Sequence, residues 1–328
     1  MKGYRSVLAA VLCLSVIATP STGQESRLGA ARQAYDKGDY RTAIEILKAA
    51  STAEPSNGEI FLLLTKSYLE TKQYDDAVNS AEKAVSSDPQ SSVYHQWLGA
   101  AYGQKADHAS MLSAYPLARK TQKEFETAVQ LDERNFDAAQ SLIEYDCTAP
   151  SIVGGGEDKA QPLIQKLMGV DPAEGHYGAG LCKAVKKDFP AADLEYTKAL
   201  ESKPKTVGRI YDIGDYFLER GQGDKLLLVA AQGQALGPND PRGKYYRAVG
   251  WILERESHAE AEKLLEEYLG EAPRRSNYPE PWDAHYWLGR LYESERDLAK
   301  AKTEYQEALK LNPKFKKAQE ALKHVGSS

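Results

Sequence analysis

Between Ala284 and Pro313 the apolar residues come in two bursts, and each has the period of an amphipathic helix. Trp287, Leu288 and Tyr292 form the first, around Gly289. Ala301, Tyr305 and Ala308 form the second, and Pro313 closes the stretch. Spacings of three and four residues put each set on one helix face. The polar run Glu293 to Asp297 separates them, so the pattern predicts two helices joined by a short turn. Neither helix can bury its apolar face alone, so the pair needs neighbours of the same kind.

The rest of the chain supplies them. Pro55 and Pro89 are 34 residues apart, as are Pro204 and Pro238, and Pro273 lies 35 beyond Pro238. Proline at such intervals marks the connection after each second helix, where a missing N–H does no harm. Reading on this period gives about eight units over residues 24–315. The second unit carries Phe61, Leu64, Tyr68, Ala77, Ala84 and Pro89, and the third opens on Trp97, Leu98, Gly99 and Tyr102. Small residues at the eighth, twentieth and twenty-seventh positions let the helices approach, while large ones fill the space between units.

Two units are longer than the period. The third holds roughly ten extra residues over 106–117, and the fourth a smaller insertion over 149–157. Met111, Leu112, Tyr115 and Pro116 are apolar for an exposed loop. They read either as a docking element or as a helix extension packed locally. Residues 316–328 form one more amphipathic segment and a tail, with Lys316, Lys317, Gln319 and Glu320 on its polar side, as a helix sealing the last unit requires.

A period of about 34 residues with two helices per unit is the tetratricopeptide signature. On the residues quoted, the chain resembles tetratricopeptide repeat (TPR) proteins over its whole length after the leader, in particular exported bacterial ones of unassigned function. The resemblance implies an all-α, right-handed superhelical solenoid of helix-turn-helix repeats with a capping helix. It also implies a non-catalytic role: binding an extended peptide or protein segment in the concave groove, or serving as an accessory subunit that docks through its loops.

Composition narrows the setting. The 328 residues are 42% hydrophobic and 27% charged, with a formal charge of -5. A mildly acidic chain lacks the basic field that phosphate backbones demand, so nucleic acid is not an expected partner. Lys2 and Arg5 precede an apolar run from Val7 to Ala18, and Ser21-Thr22-Gly23 offers small residues for cleavage. Residues 1–23 therefore read as a cleavable signal peptide, which makes the mature protein periplasmic or secreted and its partner a protein or peptide of the cell envelope. No later run is long enough to span a bilayer.

Searches for chemistry return little. His95, His176 and His285 share the fourth position of their units, where a ring normally packs, and read as packing residues. There is no His-Glu-x-x-His and no Cys-x-x-Cys. Ser80 to Lys83 and Ser202 to Lys205 fit Ser-x-x-Lys without the companion Lys-Thr-Gly. The triple glycine at 154–156 is followed by Glu157 and Asp158, which suit a helix N-terminus and repel an anion. No catalytic residue, metal site or cofactor is expected. Export would permit a disulfide between Cys147 and Cys182, on the first helices of adjacent units; two separate thiols is the other reading.

The inner stripe of the solenoid remains. Its fifth positions in the last four units are Tyr177, Tyr211, Tyr246 and Tyr286, and its ninth positions include Asp215 and Arg290. A tyrosine row with a few charges suits a peptide groove, since each ring combines apolar area with a hydroxyl. The alternative is that the rings stack on one another and on the neighbouring helix, with no ligand.

Overall fold

The computed structural model describes residues 22–326. The leader expected over 1–23 lies outside them, apart from its last two positions, which open α1. Among the described residues there are seventeen α-helices and no strand. Sixteen form eight antiparallel pairs. The first three pairs are α1 (Thr22–Asp36) with α2 (Tyr40–Ala53), α3 (Gly58–Glu70) with α4 (Tyr74–Ser87), and α5 (Ser92–Asp107) with α6 (Met111–Leu131). Next come α7 (Phe136–Thr148) with α8 (Glu157–Val170), and α9 (Pro172–Val185) with α10 (Phe189–Glu201). The last three are α11 (Val207–Glu219) with α12 (Gly223–Leu236), α13 (Arg242–Glu254) with α14 (His258–Glu271), and α15 (Pro281–Ser294) with α16 (Leu298–Leu311). The helix α17 (Lys316–Gly326) packs on α16 through Ala318 and Val325. The architecture is an all-α solenoid of two-helix repeats. None of the described helices is long and apolar enough to cross a membrane.

The local reasons recur from unit to unit. Asn57, Ser91, Asn135, Asp171 and Thr206 each accept a backbone N–H at the start of a first helix, worth about 1 kcal/mol per cap. In five of the eight pairs the chain turns between the helices through one left-handed residue: Gly38, Lys72, Lys187, Gly221 or Arg296. The core is a ribbon rather than a ball. It divides into three apolar clusters, spanning Ala31 to Tyr102, Ala139 to Cys182, and Ala192 to Val325.

Both insertions are built into the helical frame. The first lengthens α6 to 21 residues, with Pro116 inside it. Proline has no N–H to give the Leu112 carbonyl, so the opening turn of α6 is only loosely part of the helix. The second insertion forms a short 3-10 turn over Ser151–Val153. It is tied down by the Tyr145 hydroxyl, which donates to the Val153 carbonyl at 2.8 Å, and by the Gln122 amide, which donates to the Gly154 carbonyl at 3.1 Å.

The solenoid also turns back on itself. The connection between the seventh and eighth units meets the first two. The Arg275 guanidinium donates to Asp36 at 3.3 Å and lies 5.3 Å from the Tyr35 ring, and the Ser276 hydroxyl donates to Glu70 at 2.7 Å. Gly38 makes this seam possible. Its φ is +77°, and a Cβ there would sit 2.2 Å from the Arg274 carbonyl oxygen. No other residue type satisfies both demands.

Candidate functional site

The tyrosine row does not line a groove. Tyr211 and Tyr246 are each 1% exposed and Tyr286 is 8% exposed, so the expectation that these rings present a ligand-binding surface is corrected. The Tyr211 and Tyr246 rings stack with centroids 5.2 Å apart and an interplanar angle of 10°. The Tyr246 hydroxyl donates to the Asp215 carboxylate, and the Arg242 guanidinium lies 4.6 Å above the Tyr211 ring. Space for Tyr211 comes from the helix behind it, where a side chain on Gly233 would collide with the ring. Adjacent units thus each contribute a large ring at one height. Pressing the rings together removes from water an area that a solvated row would leave exposed.

The other expected groove residues serve this packing. Asp215 reaches the surface but is committed to Tyr246 through a carboxylate packed among its neighbours. Burial raises its carboxyl above the ordinary range, against the lowering effect of the tyrosine hydroxyl. Arg290 donates to the Tyr286 hydroxyl at 3.1 Å. Tyr177 is half-buried beneath the Arg209 guanidinium, 4.1 Å from its ring.

Arg209 is a residue that the sequence pattern does not single out. It is 6% exposed and joins three consecutive first helices. It meets Asp137 of α7 at 3.2 Å, Glu174 of α9 at 3.0 Å and Asp212 of its own helix at 2.9 Å. A buried arginine with three carboxylates and an aromatic face is a structural rivet, since each of its three nitrogens meets a carboxylate. The three unit histidines are committed in the same way. His95, His176 and His285 each hold a glutamate of the partner helix, at 2.6, 2.7 and 2.7 Å. Cys147 of α7 and Cys182 of α9 are brought together as a disulfide, with Cα atoms 5.3 Å apart.

The open surface lies elsewhere. The two insertions, far apart in sequence, face each other across a groove of about 1000 Å3. Met111, Leu112 and Tyr115 of α6 form one rim, and Ile152 and Val153 form the other. Ala100 and Gly103 of α5 and Ser141 and Glu144 of α7 line it between them. Met111 is 89% exposed, Leu112 90% and Ile152 72%. Such large side chains held out in water on both sides of one apolar groove are the signature of a contact surface rather than of a core. Among the described residues, Asp107 and Glu144 are the only charged ones in the lining. Packed surroundings, and then the nearby Asp107 carboxylate, raise the Glu144 carboxyl above the ordinary range.

The repeat geometry has counterparts among known proteins. Family models described as tetratricopeptide repeat match residues 34–100 and 282–315. No curated protein matches the chain. Among solved structures, it is similar to TTC0263, a thermophilic TPR protein of Thermus thermophilus. That likeness has 18% identity and a TM-score of 0.48, and covers 60% of this chain and 99% of that one. A tetratricopeptide repeat protein from Parabacteroides merdae aligns at 14% identity and a TM-score of 0.41 over 93% of this chain and 99% of its own. PilW, a type IV pilus biogenesis factor, aligns at 16% identity and a TM-score of 0.43 over 79% and 97%. With eight helix pairs built on one pattern and both family models falling on them, the chain carries tetratricopeptide repeats, matched over residues 34–100 and 282–315.

Proposed function

We propose that the protein is a non-catalytic docking scaffold of the cell envelope, exported by its N-terminal leader, and that it holds a partner protein in the groove between its two insertions. Repeat solenoids of this family generally serve as protein-interaction scaffolds, and that much rests on the fold. The location rests on the composition of residues 1–23. The docking site rests on one observation: Met111, Leu112 and Ile152 stand almost fully exposed around a single apolar groove. This is the accessory-subunit mode rather than the concave peptide groove, because the tyrosines that recommended the latter are used in packing.

A photo-crosslinking amino acid at position 112, in protein expressed in its own cells and recovered with the envelope fraction, tests the reading. A discrete adduct from position 112, absent when the crosslinker sits at exposed Lys302 of α16, supports it. An adduct from position 215 on the inner stripe, with none from 112, restores the concave groove instead. Adducts confined to the cytoplasmic fraction refute the envelope assignment.

A further inference from the structure

We infer that the segment seated between the insertions carries a lysine or arginine flanked by apolar side chains. This rests on the docking reading above and adds the chemistry of the partner.

The lining holds two charges, both negative and both without a cationic partner among the described residues. Asp107 ends α5 at one edge of the groove. Glu144 stands on α7, one helix face below the rim residues Ile152 and Val153. Among the basic side chains around it, Lys105 pairs with Asp75 at 2.7 Å, Lys120 lies over the Tyr102 ring at 4.8 Å, and Arg119, whose charge reaches the lining residue Tyr145, forms no ion pair with either carboxylate. The packed surroundings of Glu144, and then repulsion from Asp107, raise the Glu144 carboxyl. An arriving cation relieves both costs at once. It would be drawn to Asp107 and Glu144, while its neighbours meet Met111, Leu112, Tyr115 and Ile152. Methionine at the rim adapts to side chains of different shape, which suits a protein segment. A cavity of about 1000 Å3 that is open along its length accepts several residues of a chain.

The juxtaposition also sets selectivity. An acidic segment of equal hydrophobicity would bring a third carboxylate into the groove and be rejected, so the pair Asp107 and Glu144 acts against wrong partners as well as for the right one.

Phage-displayed peptides selected on the full chain provide the probe. Parallel selections use an Asp107→Asn, Glu144→Gln double variant and a Leu112→Asp variant. Neither acidic side chain has a partner to lose, so the double variant keeps the fold, as circular dichroism will verify. Peptides enriched on the wild-type chain are expected to carry a basic residue between apolar ones. A fluorescein-labelled representative is expected to bind about tenfold tighter than its Lys→Gln twin. That ratio should fall to about twofold or less on the double variant, and rising salt should lower it on the wild type. Enrichment lost on Leu112→Asp, with no basic preference on the wild type, leaves the docking groove standing and overturns the basic partner. Acidic or uncharged peptides enriched equally on wild type and double variant overturn it as well. If no peptide is enriched over the Leu112→Asp control while the groove binds a small apolar dye, the ligand is a small molecule and both readings fall.

Discussion

The His95 ring nitrogen Nδ1 meets the Glu124 carboxylate at 2.6 Å across 29 residues of chain, while His176 with Glu195 and His285 with Glu304 make the same contact across 19. The ten-residue difference measures the first insertion. The third unit keeps the standard helix pairing and carries its surplus as an outgrowth at the start of α6. The insertion is therefore an addition to a complete unit rather than a replacement of part of one.

Removing residues 107–116 should accordingly leave a folded protein. The deletion restores the spacing of 19 that two intact units show. The expected result is a helical chain with a thermal midpoint within a few degrees of the parent and no adduct or peptide binding at the groove. Collapse of the fold, read by calorimetry, would mean that the insertion stabilises α5 and α6 rather than serving contact.

The tyrosine row gives the opposite expectation. Tyr246→Ala empties a fully buried site and loses the stack with Tyr211. Aromatic-to-alanine changes in such sites cost about 3–5 kcal/mol. Tyr246→Phe keeps the ring and loses the hydroxyl's bonds to Asp215 and to the Tyr211 carbonyl, for about 1 kcal/mol. Denaturant unfolding should separate the two, and peptide binding between the insertions should be unchanged in the phenylalanine variant.

Reduction should loosen the middle of the solenoid. The Cys147–Cys182 bridge closes a loop of 35 residues between the fourth and fifth units. A loop of this size is worth about 2–4 kcal/mol. Adding reductant, or changing both cysteines to serine, should lower the midpoint. A thiol reagent on the denatured protein should label Cys147 and Cys182 only after reduction.

Asp146 sets a pH dependence of known sign. The residue is 5% exposed, and burial, opposed by Lys159, pushes its carboxyl up to about 6 from an ordinary 3.8. A carboxyl that holds its proton more tightly folded than unfolded contributes stability fully present below the unfolded value. That stability is lost as pH rises through the folded one. Asp146→Asn cannot ionise, so it should raise stability by about 1 kcal/mol near pH 8 and change little near pH 4. Equal effects at both pH values would show that the carboxylate is already solvated.

The repeat is legible because each unit states its own pattern. The apolar spacing, the small residues and the closing proline all act within about 34 residues. The tyrosine row misleads because position in a unit gives only the direction of a side chain. Whether it meets water depends on the helix behind. The clue lies in Gly233, whose missing side chain makes room for Tyr211, and no periodicity argument weighs a residue by the space it leaves. The apolar character of Met111, Leu112 and Tyr115 is visible in the chain, but their meeting with Ile152 and Val153 depends on how α5, α6 and α7 pack. Arg209 escapes the pattern for a similar reason, since its three carboxylates come from three units.

The contact of Arg275 with Asp36 spans 239 residues, and it changes what the repeats can do in evolution. An open row of units tolerates gaining or losing a member, because each new copy finds the same neighbour as the old. A row in which the connection after the seventh unit must return to the first two fixes the count of units between them. One unit more or fewer between them would rotate the connection past Asp36, Gly38 and Glu70 and break these contacts. Variation is thereby pushed out of the number of repeats and into their lengths, and that is where this chain has placed its two insertions.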